Sequence, residues 1–221
     1  MKLDKRLSAV AEYVRKNSIL ADIGTDHAYL PTYLLLSGKI QHAIASDLRK
    51  GPLNNAAKTL DEYMLSDKVE LRISDGLDSI KENEVNEITI CGMGGLLISD
   101  FIKRTNWLKN KNIHLILQPM THIEDLRKTL SSIGFKIESE KYVKDDNKYY
   151  VILSAYYEDE IITFPEHVYV IGFGNREDKI YIEYLRKLYD KYYKKYLALK
   201  NSDNEYREVE YLLMEIKKCL N

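Results

Sequence analysis

Short apolar runs alternate with longer amphipathic stretches over the first 157 residues of the chain. The apolar runs have no helical stripe and end at glycine, proline or acidic residues, which is typical of buried strands. The amphipathic stretches repeat their apolar positions at helical spacing. We therefore predict strands at residues 18–23, 42–46, 69–73, 87–90 and 113–117, and helices at residues 2–17, 27–37, 52–64, 96–107 and 122–133.

Two further strand patterns, at residues 135–144 and 149–157, are separated only by the polar segment 145–148. This arrangement predicts an antiparallel hairpin. The alternation of strands and helices before it predicts a parallel sheet with helices on both faces. The expected fold class is therefore α/β and Rossmann-like, with a mainly parallel sheet that ends in an antiparallel hairpin.

The pattern changes after residue 157. Residues 158–165 are acidic and end at Pro165, which indicates a domain boundary. Apolar and tyrosine positions then recur at helical spacing in residues 179–199 and 205–220, with a polar turn predicted at residues 201–204. Two such helices predict a short antiparallel coiled-coil hairpin. We expect a catalytic domain at residues 1–160 and a helical domain at residues 161–221.

The sequence L-A-D-I-G-T-D-H-A-Y-L-P, at residues 20–31, predicts a strand, a glycine turn and the start of a helix. Gly24 lets a ligand approach the backbone, and we expect Asp26 to cap the helix. With one glycine, the pattern is not the G-x-G-x-x-G of dinucleotide sites. Its two carboxylates, Asp22 and Asp26, would repel a pyrophosphate but suit an ammonium and a sulfonium. This favours S-adenosylmethionine over NAD, and an ordinary strand-to-helix connection is the alternative.

Acidic residues also follow the second and third predicted strands. Asp47 stands beyond Asp22 at about the spacing from which a carboxylate binds the ribose hydroxyls of a nucleotide cofactor. Its alternative role is a helix cap. Asp75 and Gly76 follow the third strand and fit either the edge of an adenine or a plain Asp-Gly turn.

The fourth and fifth predicted strands end in unusual residues as well. The segment C-G-M-G-G, at residues 91–95, indicates close approach by a ligand or by backbone, with Met93 as apolar cover. Pro119 is expected to end the fifth strand, and the amide of Gln118 could contact a base edge. Thr121 and Glu124 have the spacing of a capping box for the next helix.

Composition narrows the class of protein. The chain has 221 residues, enough for one domain of roughly 150 residues and an appendage, and its 45% apolar and 30% charged content is that of a soluble globular protein. No apolar run suits a membrane span or a signal peptide. Cys91 and Cys219 form no disulfide framework or zinc signature, and Cys91 is expected to be a core residue. We therefore expect a reduced, cytoplasmic, monomeric enzyme with no metal and no membrane partner.

The net charge of −1 is uninformative, but the distribution of charge is not. Residues 176–200 contain eight basic and four acidic residues, interleaved with tyrosines. The basic residues are Arg176, Lys179, Arg186, Lys187, Lys191, Lys194, Lys195 and Lys200. Such a helix can bind an RNA backbone and stack on bases, and a solvated face is the alternative. The same two alternatives apply to the polar face of the N-terminal helix, which carries Lys2, Lys5, Arg6, Arg15 and Lys16.

In this order, these motifs resemble the bacterial tRNA adenine-N1-methyltransferases that act on adenine 22. The matching segments are residues 21–31, 45–47, 50–53, 74–77, 90–95 and 117–119, and the helical tail is similar to that family's C-terminal coiled coil. The resemblance implies S-adenosylmethionine as cofactor and tRNA as substrate. Met120 departs from the family's pattern, in which asparagine often stands at this position.

The resemblance also implies roles for individual residues. The cofactor-binding residues that it implies are Asp22, Gly24, Asp47, Leu48, Asp75, Gly76, Gly92, Met93 and Gly94. It places the target adenine at the outer mouth of the site, near the candidate catalytic residues Asp26, His27 and Tyr29. The candidate substrate-binding residues are Gln118 and Pro119, together with Arg186, Lys187, Lys191, Lys194 and Lys195 of the basic helix.

The chemistry of the target agrees with this assignment. Adenine N1 carries a lone pair at neutral pH, so the site needs alignment and charge stabilisation rather than a strong base. Enzymes that alkylate exocyclic amines usually carry an Asn/Asp-Pro-Pro-aromatic segment after strand four, and residues 91–94 do not match it. The alternatives are a methyltransferase acting on another RNA or a small molecule, a catalytically silent RNA-binding protein, and a nicotinamide-dependent oxidoreductase, which the missing glycines and the final hairpin disfavour.

Overall fold

The computed structural model describes residues 1–200 and 205–221. The chain divides into two compact units, Met1–Thr163 and Phe164–Asn221. No helix in the described residues is long and apolar enough to cross a membrane.

The first unit is built on a seven-stranded sheet in the order β3-β2-β1-β4-β5-β7-β6. The strands are β1 (Ser18–Ile23), β2 (Ile40–Asp47), β3 (Val69–Ile73), β4 (Glu87–Gly94), β5 (His114–Thr121), β6 (Phe135–Asp145) and β7 (Lys148–Tyr157). The first five strands are parallel, and β7 runs antiparallel to both β5 and β6. This is the predicted sheet, and the fold class is confirmed.

The helices of this unit form two groups. They are α1 (Lys5–Tyr13), α2 (Tyr29–Leu36), α3 (Lys50–Glu62), α4 (Gly95–Arg104) and α5 (Ile123–Ser132), with a short 3-10 turn at Asn106–Leu108. Helices α1, α2 and α3 contribute to one buried apolar cluster that includes Val10, Leu34 and Leu60, and α4 packs against α5. Burial of such clusters is the main favourable contribution to the stability of the fold.

Both predicted helix caps in this unit, Asp26 for α2 and Thr121 for α5, are wrong. Helix α2 begins at Tyr29 after Ala28, whose φ is 52°, and no side chain caps it. The amides of Gly24 and Thr25 both donate to the carbonyl oxygen of Ser46, and these bonds hold the turn against β2. The helix therefore begins only after Asp26.

The strand β5 also runs further than predicted. Pro119 does not end it, because Pro119 pairs with Met93 of β4 and the ladder continues to Thr121. Thr121 is therefore extended, and the residue before α5 is His122, with a φ of 54° and no side-chain cap.

The second unit contains α6 (Glu166–Ile171), α7 (Lys179–Leu199) and α8 (Glu205–Leu220). The spans of α7 and α8 match the prediction, and the two helices pack against each other. They are antiparallel, because Tyr196 lies beside Tyr206 at one end and Arg176, just before α7, contacts Cys219 at the other. The coiled-coil assignment stays a prediction, and the turn predicted at residues 201–204 lies outside the described residues.

One buried ion pair joins α5 to β6. The Arg127 guanidinium and the Glu140 carboxylate are both completely buried, and they share two hydrogen bonds of 2.6 and 2.9 Å. The hydroxyl of Tyr142 also donates to Glu140, at 2.7 Å. A buried pair of this kind costs desolvation energy, so removal of Arg127 leaves the buried Glu140 carboxylate without this counter-charge.

We therefore expect Arg127→Met to lower the free energy of unfolding by about 3–5 kcal/mol. The double variant Arg127→Met, Glu140→Leu should recover most of this loss, because it removes both buried charges of the pair. Urea denaturation measures both effects. Lys141→Met is the control, since its ion pair with Glu12 is exposed and should contribute less than about 1 kcal/mol. A double variant no more stable than the single one would contradict this account.

Candidate active site

The ends of strands β1, β2 and β3 meet at one edge of the sheet. Ile23 pairs with Ser46, and Asp47 pairs with Ile73. The amide of Ser74 also donates to the carbonyl oxygen of Asp47, at 3.0 Å. Three segments that are distant in sequence are therefore adjacent, as the motif spacing predicts.

Asp22 is the buried carboxylate of this edge, with 7% of its surface exposed. The hydroxyl of Thr89 donates to its Oδ1 atom at 2.8 Å, and Thr25 supplies a second hydrogen bond. Burial raises the pKa of Asp22 above its usual value, and these hydrogen bonds and the charge of Arg6 oppose the shift. A buried carboxylate whose pKa stays raised despite these partners is suited to a cationic ligand group.

Two glycines of the site are required by the protein itself. Gly24 has a φ of 77°, and a Cβ atom there would lie 2.1 Å from the terminal methyl of Met93. Gly76 has a φ of 58°, and a Cβ atom there would lie 2.6 Å from the ring of Phe101. Met93 therefore covers the glycine turn, as the sequence indicates. The ring of Phe101 requires a glycine at position 76, whether or not Gly76 also contacts a ligand.

The other candidate cofactor residues lie along the same edge. The Oδ1 atom of Asp47 accepts a hydrogen bond of 2.9 Å from the amide of Arg49, and Arg49 rather than Asp47 precedes α3. Leu48 is 63% exposed beside it. Asp75 forms an ion pair with Arg104 at 3.3 Å. Neither carboxylate is buried, so each can still accept a hydrogen bond from a ligand.

A cavity of about 400 Å³ opens beside the glycine turn. Its lining includes Arg6, Asp22, Asp26, His27, Tyr29 and Gly92. Asp26 is 70% exposed, with Oδ2 3.4 Å from Nε2 of His27. The rings of His27 and Tyr29 stack at 4.9 Å between centroids, so His27 occupies one face of Tyr29. The three candidate catalytic residues therefore lie together at the mouth.

The structure places Gln118 behind this cavity, not in its lining. Gln118 is fully buried, and its Oε1 atom accepts hydrogen bonds from Nη1 of Arg6 at 2.9 Å and from the amide of Gly92 at 3.1 Å. Its Nε2 atom donates to the carbonyl oxygen of Pro119. A direct contact of Gln118 with a base stays a prediction, and this geometry instead makes Gln118 a support for Arg6.

The sequence does not mark Arg6 as a site residue, because Arg6 is there one of five basic residues on the polar face of the N-terminal helix. In the segment 91–95, Gly94 and Gly95 each lie close to another part of the protein. A Cβ atom on Gly94 would lie 3.2 Å from the hydroxyl of Thr121, and one on Gly95 would lie 2.1 Å from the carbonyl oxygen of His122. Burial raises the pKa of the Cys91 thiol, which agrees with a non-nucleophilic role.

The candidate RNA-binding residues lie on the second unit. Arg186, Lys187, Lys191, Lys194 and Lys195 are all exposed on α7. At 100° per residue they occupy about half of the helix circumference. Their distribution suits a polyanion, and their role stays a prediction.

Comparison with known proteins agrees with the geometry of the site. A family model described as a methyltransferase domain matches residues 3–153. A tRNA (adenine(22)-N(1))-methyltransferase from Bacillus subtilis (strain 168) is 38% identical over 155 residues, which cover 70% of this chain and 65% of that relative. That match spans slightly less than two thirds of the relative's length.

Solved structures match over the whole chain. The crystal structure of the B. subtilis m1A22 tRNA methyltransferase has 28% identity and a TM-score of 0.88, covering 100% of this chain and 99% of that one. A Streptococcus pneumoniae protein solved in complex with S-adenosyl-L-methionine has 31% identity and a TM-score of 0.87, covering 100% of both chains. From its fold, its strand-end motifs and these matches, the chain belongs to the bacterial tRNA (adenine-22-N1)-methyltransferase family.

Proposed function

We propose that this protein transfers a methyl group from S-adenosylmethionine to N1 of adenine 22 in tRNA. The observation that carries the proposal is that one cavity is lined both by the buried carboxylate of Asp22 and by the exposed side chains of Asp26 and Tyr29. A cofactor held at the inner side and a base admitted at the mouth would therefore meet in one space.

The polar groups of the strand ends fit those of S-adenosylmethionine. Asp22 suits the ammonium of the methionine part, because it is a buried carboxylate without a full counter-charge. Asp47 retains a second carboxylate oxygen for the ribose hydroxyls, beside the one bonded to Arg49. Leu48 and Ile73, both exposed, can cover the apolar faces of the adenine. Asp75 and Gly76, which follow β3, fit the adenine edge.

The mouth of the cavity supplies the groups that methyl transfer to N1 requires. When bound, S-adenosylmethionine supplies the methyl group. Tyr29 offers the ring face that His27 does not cover, on which an adenine can stack with N1 directed inward. Asp26 is an exposed carboxylate at the same mouth and stabilises the positive charge that forms on the methylated base.

In this proposal, α7 of the second unit binds the tRNA backbone. Its α7 carries five exposed basic residues and a run of stacked tyrosines, with 6.0 Å between the ring centroids of Tyr189 and Tyr193. Cations and aromatic rings in alternation favour an RNA with exposed bases.

We propose that the protein acts on tRNA as a monomer in the cytoplasm.

The test is mass spectrometry of nucleosides from unmodified tRNA incubated with the protein and S-adenosylmethionine. We expect 1-methyladenosine, and loss of the signal when adenine 22 of the tRNA is replaced by guanine. Cofactor binding without any methylated nucleoside would indicate a small-molecule substrate or a catalytically silent protein instead.

Asp47→Ala should weaken S-adenosylmethionine binding by roughly ten- to a hundredfold, because the ribose loses a charge-assisted acceptor. Asp47→Asn should fall between this variant and the wild type, because the amide oxygen can still accept from Arg49. Calorimetry measures both affinities, and the exposed Asp67→Ala is the control. Unchanged affinity in a folded Asp47→Ala protein would overturn the ribose assignment.

Asp26→Asn should slow single-turnover methyl transfer by roughly ten- to a hundredfold and leave cofactor affinity unchanged. The change removes the carboxylate charge without a loss of helix stability, since Asp26 does not cap α2. Rapid-quench kinetics with saturating tRNA gives the rate, and Asp67→Asn is the matched control. If Asp26→Asn reacts at the wild-type rate, Asp26 has no role in charge stabilisation.

Replacement of Lys191, Lys194 and Lys195 by alanine should weaken tRNA binding and leave S-adenosylmethionine binding intact. The slope of log affinity against log salt concentration should fall by roughly two to three, or somewhat less than one for each lost phosphate contact. The control replaces Lys68, Lys81 and Lys109, exposed residues that precede strands and so belong to the opposite edge of the sheet. An equal effect of both triple variants would contradict a specific role for α7.

A further inference from the structure

A second cavity, of about 580 Å³, lies within the second unit between helices α6, α7 and α8. Its walls are formed by the apolar side chains of Pro165, Val170, Val209 and Leu212 and by the rings of His167, Tyr192 and Tyr211. All candidate cofactor residues lie in the first unit, so this cavity is separate from the cofactor site. Its size and its apolar, aromatic walls are typical of a ligand site.

The ring of Tyr211 is half exposed, yet its orientation is fixed. Its hydroxyl forms a hydrogen bond with the carboxylate of Glu215, one turn later on α8. The ring also packs nearly perpendicular to that of His167, with 5.5 Å between the centroids. Glu215 is held in turn by Lys218, at 2.7 Å, and lies 4.0 Å from Nε2 of His167. A large exposed ring that is already oriented can bind a flat ligand at little cost in entropy.

Cations border these aromatic walls. Lys195 of α7 and Arg207 of α8 line the cavity. The Nζ atom of Lys191 lies 5.3 Å from the ring centroid of Tyr192, another lining residue. Lys191 and Lys195 are about 100° and about 60° from Tyr192 on the same side of α7. An apolar cavity with cations at its edge suits a ligand that joins a flat ring to an anion.

We propose that this cavity binds an unstacked base of the tRNA, with the phosphate of that nucleotide at Lys195 and Arg207. This inference rests on the proposed function, because it states how the second unit recognises its RNA. The base is not the target adenine, since that adenine enters the cavity of the first unit. Bases that leave the helical stack bind proteins by stacking on aromatic rings. The carboxylate of Glu208, which also lines the cavity, can accept a hydrogen bond from the amino group of adenine, guanine or cytosine.

The charges favour a nucleotide over an apolar side chain of a partner protein or of a second copy of this chain. A leucine or a phenylalanine would fill the walls of the cavity and leave its bordering cations without an anion. The same cations belong to the basic residues of α7, which are exposed along that helix. An RNA backbone bound to those residues would therefore pass the edge of the cavity.

The test compares unmodified tRNA with a blunt RNA duplex of equal length, which carries the phosphates but no unstacked base. Filter binding over a range of salt concentrations measures both RNAs with the wild type, Tyr211→Leu, Tyr211→Phe and Met214→Ala. Met214 is the matched control, because it is an apolar residue of α8 that is also half exposed but does not line the cavity. Calorimetry with S-adenosylmethionine checks that each variant is folded.

We expect Tyr211→Leu to bind tRNA roughly five- to a hundredfold more weakly, because one base loses its stacking partner. The slope of log affinity against log salt concentration should not change, since no phosphate contact is lost. Its binding of the duplex and of S-adenosylmethionine should equal that of the wild type. Tyr211→Phe keeps the ring and should bind tRNA nearly as the wild type does, as should Met214→Ala.

Three results would overturn the proposal: unchanged tRNA binding by Tyr211→Leu, an equal loss for tRNA and duplex, or an equal loss in Tyr211→Phe. A wild type that sediments as a dimer, with Tyr211→Leu as a monomer, would place a second copy in the cavity and also overturn it. If Tyr211→Leu does not fold, ultraviolet crosslinking of the wild type to tRNA decides. Crosslinks at Tyr192 or Tyr211 support the proposal, and their absence from both overturns it.

Failure of the proposed function gives a different result. In that case the wild type neither binds nor methylates tRNA. A wild type that methylates tRNA, combined with a Tyr211→Leu variant that binds tRNA equally well, overturns this inference alone.

Discussion

The carbonyl oxygen of Ser46 accepts hydrogen bonds from the amides of both Gly24, at 2.8 Å, and Thr25, at 2.9 Å. These two bonds hold the glycine turn against the end of β2, and the rest of the site depends on that position. Because of them, Asp22 lies at the closed end of the cavity and Asp26 lies at its mouth. They also bring Asp47, the next residue after Ser46, beside the turn. One backbone acceptor therefore sets the arrangement of three carboxylates.

Asp22 and Asp26 are four residues apart, yet their environments are opposite. Asp22 is buried beneath hydrogen bonds from Thr25 and Thr89, and burial raises its pKa, whereas Asp26 is 70% exposed. A raised carboxyl pKa means that the folded chain holds its proton to higher pH than the unfolded chain does. The contribution of Asp22 to the free energy of unfolding therefore falls as pH rises from the ordinary to the raised pKa. An ammonium bound beside Asp22 would offset this cost, since it favours the ionised form.

The sequence predicted the parts of this protein that depend on local pattern. Strands β1 and β3 and helices α7 and α8 have the predicted bounds, because their apolar periodicity is strong and uninterrupted. The failures depend on distant contacts. Pro119 stays in β5 because Met93 of β4 pairs with it, and α6 is too short, at six residues, to show a period. Arg6 acquires its place through Gln118, which is 112 residues away in sequence.

The glycines of the segment 91–95 show why residue type alone is a weak guide to a binding site. Gly94 and Gly95 are required by the neighbouring chain at Thr121 and His122, and only Gly92 borders the cavity. A glycine indicates that another group lies close to the backbone. In this segment, that group is in most cases another part of the protein and not a ligand. Buried charge is more discriminating, because it costs free energy that packing cannot recover. Asp22 is such a group, because it is buried in this cavity and its pKa stays raised although Thr25, Thr89 and the charge of Arg6 oppose the shift.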